Sequence, residues 1–258
     1  MNRVSIVASA TVLFLSVLGP VAAQELPEFE EYQNIQEGFK IDFPGKPKMT
    51  QTTYTTEHDY QLPAHVYSAD RGREHYSVTV VDFNPLQQQG EERVKKCAVG
   101  AEPCIGSDLS GPAYWKHVIR GAMIDATARM LKRNVTITSY MWNHQDLVEG
   151  HQLQLTNNAD QSRTFAFITM RENKLYIVEG TVPKGWPEPA LFQNSMGFLD
   201  KAGNGVRYQT IYSNTVYGLG DREAPTYGGR GGGAGARGGG AGRGRGAGQG
   251  GQAPAGGQ

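Results

Sequence analysis

The chain has 258 residues, 38% of them hydrophobic, with 25 basic and 25 acidic side chains, 34 glycines and two cysteines. These proportions exclude a wholly disordered chain, a multipass membrane protein and a disulfide-built scaffold. The zero net charge hides an asymmetry. Residues 228–258 carry Arg230, Arg237, Arg243 and Arg245 and no acid, while residues 24–227 carry five more acidic than basic groups.

At the amino end, Arg3 precedes an uncharged apolar run from Val4 to Leu18, then Gly19-Pro20 and the small residues Val21-Ala22-Ala23. This is the layout of a secretory signal peptide, residues 1–23, cut after Ala23. The run is shorter than the ~20 apolar residues that a membrane-spanning helix needs. Export to the periplasm or the exterior is therefore expected. Residues 24–227 are expected to form one α+β domain.

Leu26 to Gln36 is acidic and mixed, a short helix or an arm. Gly38 to Phe43 alternates, with Phe39, Ile41 and Phe43 on one side, as a half-buried strand does. Pro44-Gly45-Lys46-Pro47 ends it in a turn. The threonine-rich Lys48 to Thr56 suits an exposed strand. Pro63 to Ala69 and His75 to Phe83 form a hairpin across Asp70-Arg71-Gly72-Arg73. Asn84 to Pro112 is an excursion rich in Gln, Gly and Pro. It contains Cys97 and Cys104, which an oxidising compartment would join as a structural disulfide. A redox-active pair is less well matched, because such pairs are usually spaced C-x-x-C at a helix start.

The next segment, from about Ala113 to Arg133, is the strongest helix. Ser110 and Pro112 suit its start, and Trp115, Val118, Ile119, Ala122, Met123, Ala126 and Met130 form one apolar stripe. Ile124 and Leu131 fall on the other side, which predicts a second element over part of that face. Val135 to His144, Leu147 to Thr156, Thr164 to Arg171 and Lys174 to Val182 read as four strands. Thr164–Arg171 is apolar on both sides and hence central. A short helix is expected over Glu188 to Leu199 and a last strand over Gly205 to Ser213. This order predicts an antiparallel sheet packed with two main helices, an α/β/α sandwich.

Three segments carry a resemblance. They are Phe39-Lys40-Ile41-Asp42-Phe43-Pro44-Gly45-Lys46-Pro47, Asn173-Lys174-Leu175-Tyr176-Ile177-Val178 and Phe192-Gln193-Asn194-Ser195-Met196-Gly197-Phe198. Together they resemble bacterial secreted proteins of unknown function with a PsbP/Mog1-like fold, over roughly residues 38–199. The resemblance implies an antiparallel sheet sandwiched by helices and an accessory or binding role. It implies no catalytic residues, because its motifs are structural.

No catalytic constellation is visible, and no cofactor is expected. Of six histidines, none lies in an H-E-x-x-H helix or a cysteine–histidine zinc spacing. His144 and His151 flank a turn, and with Glu149 they are the least poor candidates for a metal, although exposed strand histidines account for them better. Gln193-Asn194-Ser195-Met196-Gly197 lacks the first glycine of G-x-S-x-G and falls in a predicted helix. Gly233 to Gly238 fits G-x-G-x-x-G by letters alone, without a strand before it or a helix after it. Trp186, in a loop with Pro183, Gly185 and Pro187, is the tryptophan most open to ligand contact, although packing against the domain accounts for it better.

The Gly/Ala/Arg tail, 228–258, is expected to be disordered. It is similar to the arginine–glycine segments of RNA-binding proteins, but it lacks their aromatic residues, and export removes the usual RNA; nucleic acid is not an expected partner. A neutral extension, or a loose electrostatic contact with an anionic envelope surface, fits it better. Three functions remain: a secreted or periplasmic binding or accessory protein of an unknown protein or envelope component; a secreted hydrolase or metal-dependent enzyme with a site assembled from distant residues; and an envelope structural protein tethered by its tail. The absence of a catalytic set favours the first.

Overall fold

The structure is a computed structural model and describes residues 26–96 and 114–214. The signal segment, both cysteines with their expected bridge, and the tail arginines lie outside the described residues.

Seven antiparallel strands form the central sheet, in the order β3-β4-β5-β9-β8-β7-β6. They are β3 (Lys48–Thr55), β4 (Gln61–Arg71), β5 (Glu74–Asp82), β6 (Val135–Gln145), β7 (Val148–Asn157), β8 (Arg163–Arg171) and β9 (Lys174–Val182). Each connection except that from β5 to β6 is short, so most sequence neighbours pair as hairpins. The longer link carries two helices, α1 (Leu86–Lys95) and α2 (Tyr114–Leu131). A smaller sheet, ordered β1-β2-β10-β11, is built from β1 (Phe29–Asn34), β2 (Phe39–Pro44), β10 (Gly197–Leu199) and β11 (Gly205–Val206).

Alternation along the central strands divides the core in two. One set of side chains, including Leu62, Ala64, Val81, Leu153, Leu155, Ala166, Ile168 and Leu175, meets the α2 stripe of Trp115, Val118, Ile119, Ala122, Ala126 and Met130. The opposite set, Tyr67, Tyr76, Val78, Val80, Phe167, Tyr176 and Val178, meets Phe39, Ile41, Phe43 and Phe198 of the small sheet. Phe192, from the short helix α3 (Ala190–Ser195), packs in this second core. Burial of such large apolar side chains contributes about 1.5–3 kcal/mol each. β8 is buried along all but its first residue, as its double-sided apolar pattern requires of a central strand.

The α+β architecture with an antiparallel sheet is thus as expected, with several local differences. The second face is covered mainly by a sheet, with α3 as its only helix among the described residues. The expected 188–199 helix stops at Ser195, because Gly197 and Phe198 pair with Lys40 and Phe39 of β2. The acidic arm 26–36 is a strand, β1, paired with β2 along its length. The expected 205–213 strand shortens to β11 and a single bridge from Tyr212 to Val148. The excursion after Phe83 also contains α1, a Gln/Glu-rich helix that buries only Leu86 and Gly90. Gly90 is there because Trp115 lies against it; a Cβ would come within 3.1 Å of the indole. Of the two off-stripe residues of α2, Leu131 packs against the core, whereas Ile124 is 66% exposed, with no covering element among the described residues.

Candidate functional site

The described surface is mostly polar, and its exposed large apolar residues concentrate on one strand. β6 reads Val-Thr-Ile-Thr-Ser-Tyr-Met-Trp-Asn-His-Gln and contains no Asp, Glu, Lys, Arg or Pro. Among the described residues it is an edge strand, paired with β7 on one side only. Ile137, Tyr140, Met141 and Trp142 are each 50–55% exposed. A register shift between Ile137 and Ser139 marks a bulge, after which the ladder runs evenly to Gln145.

That ladder sets which way each side chain faces. Tyr140 and Trp142 pair with Leu153 and His151 of β7, residues that face α2; Met141 pairs with Gln152 and faces the other way. Tyr140 stands edge-on to the His151 ring at 5.5 Å, and Trp142 stands edge-on to His144 at 5.7 Å. His151 is fixed from below by a 2.8 Å hydrogen bond between its Nδ1 and the Thr127 hydroxyl of α2. Burial pushes the His151 imidazole below its ordinary pKa, an effect only partly offset by Glu149. The result is an aromatic shelf along a strand whose outer backbone groups have no ladder partner among the described residues.

β7 supports the shelf closely. Gly150 lies over β8, and a Cβ there would approach the Ile168 carbonyl oxygen and the Phe167 ring to 2.6 Å. The β6–β7 turn places Asp146 and Leu147 at φ 48° and 62°. A leucine in the left-handed region is strained, and the segment before Asn214 holds it there. Tyr212 donates its N–H to the Leu147 carbonyl at 2.8 Å and accepts from the Glu149 N–H at 3.1 Å.

The residues singled out from sequence are placed as follows. His144 and Glu149 face each other across the β6–β7 ladder, and His151 lies diagonally on the same side. They do not converge: His151 is engaged by Thr127, and among the described residues no group of three His, Cys, Asp or Glu side chains is arranged to hold a metal. Trp186 is half-buried in its turn, where its carbonyl accepts a hydrogen bond from Arg163. Ser195 is structural: its hydroxyl accepts from the Asp42 N–H and donates to the Phe192 carbonyl, tying α3 to β2.

Two polar clusters were not legible in the sequence. Glu37 accepts from His65 Nδ1 at 2.5 Å and from Lys174 Nζ at 2.8 Å. Burial opposes its charge, but the Lys174 and His65 hydrogen bonds outweigh burial and hold the carboxyl below its usual range. Arg171, 3% exposed, bonds to the Tyr208 hydroxyl, the Leu199 carbonyl and Glu172. In each cluster the groups satisfy one another and link the small sheet to the central one. A second imidazole–carboxylate pair, His75 with Asp70 at 2.7 Å, lies on the surface. Neither His65 nor His75 is hydrogen-bonded to a Ser, Thr or Cys among the described residues, so neither forms an activated nucleophile. The hollow of about 330 Å³ beside Thr181–Lys184 places Arg73 and Lys184 near Asp160 and contains no histidine or cysteine.

No protein-family model matches the chain, and no curated protein matches it. Among solved structures, it is similar to the solution structure of cyanobacterial PsbP (CyanoP) from Synechocystis sp. PCC 6803, with a TM-score of 0.38 and 10% identity, covering 70% of this chain and 98% of that one. A likeness at that level carries no activity, partner or site residue. Among the described residues, no helix is long and apolar enough to cross a membrane.

Proposed function

We propose that this is an exported, non-catalytic binding or accessory protein and that the β6 edge, with Tyr140 and Trp142, is its recognition surface. The observation that carries the reading is the coincidence of an unpaired strand edge, eleven residues without charge, and four large apolar side chains at least half exposed. Exposed apolar residues scattered singly are ordinary; a cluster of them along a charge-free strand edge is the pattern of a binding site. Export is supported by the signal layout of residues 1–23. A binding role agrees with polar clusters whose groups, among the described residues, are engaged with one another in linking the two sheets.

The test is capture from an envelope extract. Protein bearing Tyr140→Ala and Trp142→Ala should lose the captured component, and Met49→Ala on the opposite edge should retain it. Equal capture by all three would refute the β6 surface. Tail-dependent, salt-sensitive capture that ignores Tyr140 and Trp142 would support the tethered structural protein instead.

A further inference from the structure

The strand order β4-β5-β9-β8-β7 brings three chain reversals together at one end of the central sheet, and between them lies the hollow of about 330 Å³. That volume is at the lower end of the range for small-ligand pockets, about 300–1,000 Å³. Arg73 lines it from the β4–β5 turn, Asp160 and Ser162 from the β7–β8 turn, and Thr181 and Lys184 from the end of β9 and the loop behind it.

One wall is fixed by hydrogen bonds. The Ser162 N–H and hydroxyl donate to Asp160 Oδ1 at 3.0 and 2.7 Å. The Asn157 amide donates to the Ser162 hydroxyl at 2.7 Å and to the Thr164 hydroxyl at 3.3 Å, and the Thr164 and Thr181 hydroxyls meet at 2.9 Å. This string ties β7, β8 and β9 together and holds Asp160, Ser162 and Thr181 in place before any ligand arrives.

The charges around the hollow are not spent on one another. Among the described residues neither Arg73 nor Lys184 forms an ion pair, and no hydrogen bond reaches Asp160 Oδ2. The Ser162 hydrogen bonds, and after them the Arg73 charge, hold the Asp160 carboxyl below its usual range. Opposite charges thus border one hollow without closing across it.

The chemistry of an occupant follows. Arg73 and Lys184 against Asp160 leave one positive charge in excess, which one carboxylate balances. Asp160 accepts hydrogen bonds and repels a second negative charge, so the rest of the ligand carries hydroxyl or ammonium donors. A dianion such as phosphate is opposed by Asp160, and a neutral sugar leaves both cations unused.

We propose that this hollow binds a small carboxylate with donor groups at its other end, a sugar acid or an amino acid. Arg73 and Lys184 hold the carboxylate, and Asp160, Ser162 and Thr181 accept from the donors. The hollow shares no residue with β6, so the site stands independently of the recognition surface proposed above.

Calorimetric titration of the full chain with glucuronate, serine, glucose and inorganic phosphate tests it. Glucuronate or serine should bind, and which of the two binds tells whether the donors are hydroxyls or an ammonium. Glucose and phosphate should bind at least about ten-fold more weakly. Arg73→Gln and, separately, Lys184→Gln should each weaken the carboxylate ligand about ten-fold or more, as loss of a charge-assisted hydrogen bond does, with unchanged circular dichroism. Asp160→Asn should weaken it as well and strengthen phosphate. No heat from glucuronate or serine at millimolar concentration overturns the proposal. So does phosphate binding as tightly as they do, or carboxylate binding indifferent to both glutamine variants. Tyr140→Ala and Trp142→Ala should titrate as wild type, and the hollow variants should retain envelope capture, so that the two sites fail separately.

Discussion

At the β3 edge, Tyr54 donates its hydroxyl to Asp125 of α2 at 3.0 Å, Arg129 bonds to the same carboxylate and to the Thr55 carbonyl, and its guanidinium lies 4.8 Å over the Tyr54 ring. At the other edge, the hydrogen bond from α2 reaches His151 of β7, through Thr127, and Val135 at the start of β6 packs against the α2 core. Among the described residues the same helix therefore clamps one outer strand with hydrogen bonds and touches the other through apolar packing at its first residue. The side chains follow suit. β3 is threonine-rich, with Met49 as its one large apolar residue on the surface, whereas β6 is charge-free and aromatic. An edge is thus made inert by what its neighbours and side chains do, and position in the sheet alone does not decide it.

The contrast can be broken most severely at Gly150. Gly150→Ala places a methyl group against backbone and a buried ring, and should cost about 3 kcal/mol of stability, measured by denaturant unfolding. A near-neutral result would mean that β7 does not fix β6 as described. Next in size is the difference between the two α2 contacts. Asp125→Ala removes a charged acceptor shared by Tyr54 and Arg129 and should cost about 2 kcal/mol, against about 1 kcal/mol for Thr127→Val. Equal costs would erase the asymmetry of the clamp.

The smallest effect is in pH. The folded-state pKa of His151 is depressed, so between that value and the ordinary imidazole value of about 6.5 the unfolded chain binds more protons than the folded one. The His151 contribution to stability is complete above about pH 6.5 and is lost as pH falls through the folded value. His151→Gln should flatten this part of the stability profile; parallel profiles would show that the imidazole is not buried in solution.

Much of this fold was legible because period-2 alternation is a local signal. Phe39, Ile41 and Phe43 point into one core, and the double-sided pattern of Phe165 to Ile168 placed β8 centrally. α1 escaped because Leu-Gln-Gln-Gln-Gly-Glu-Glu has no apolar stripe; it is a helix by packing Gly90 on Trp115. β1 escaped because its acids face solvent and only Tyr32 and Phe29 lean on the core. The alternation of Tyr140 and Trp142 was equally visible, but a sequence cannot say that no strand lies beyond them. Nor could it pair Glu37 with His65 and Lys174, which lie 28 and 137 residues away.

The strap near the end of the described chain has a mechanical consequence. Tyr212 is hydrogen-bonded to Leu147 and Glu149, and the side-chain amide of Asn214 donates to Asn173 Oδ1 and accepts from the Asn173 backbone N–H in the β8–β9 turn. A pull on the chain beyond Asn214 therefore enters at two turns at once, β6–β7 through Leu147 and Glu149 and β8–β9 through Asn173. Force is shared among several bonds in two hairpins and is not carried by a single strand one bond at a time.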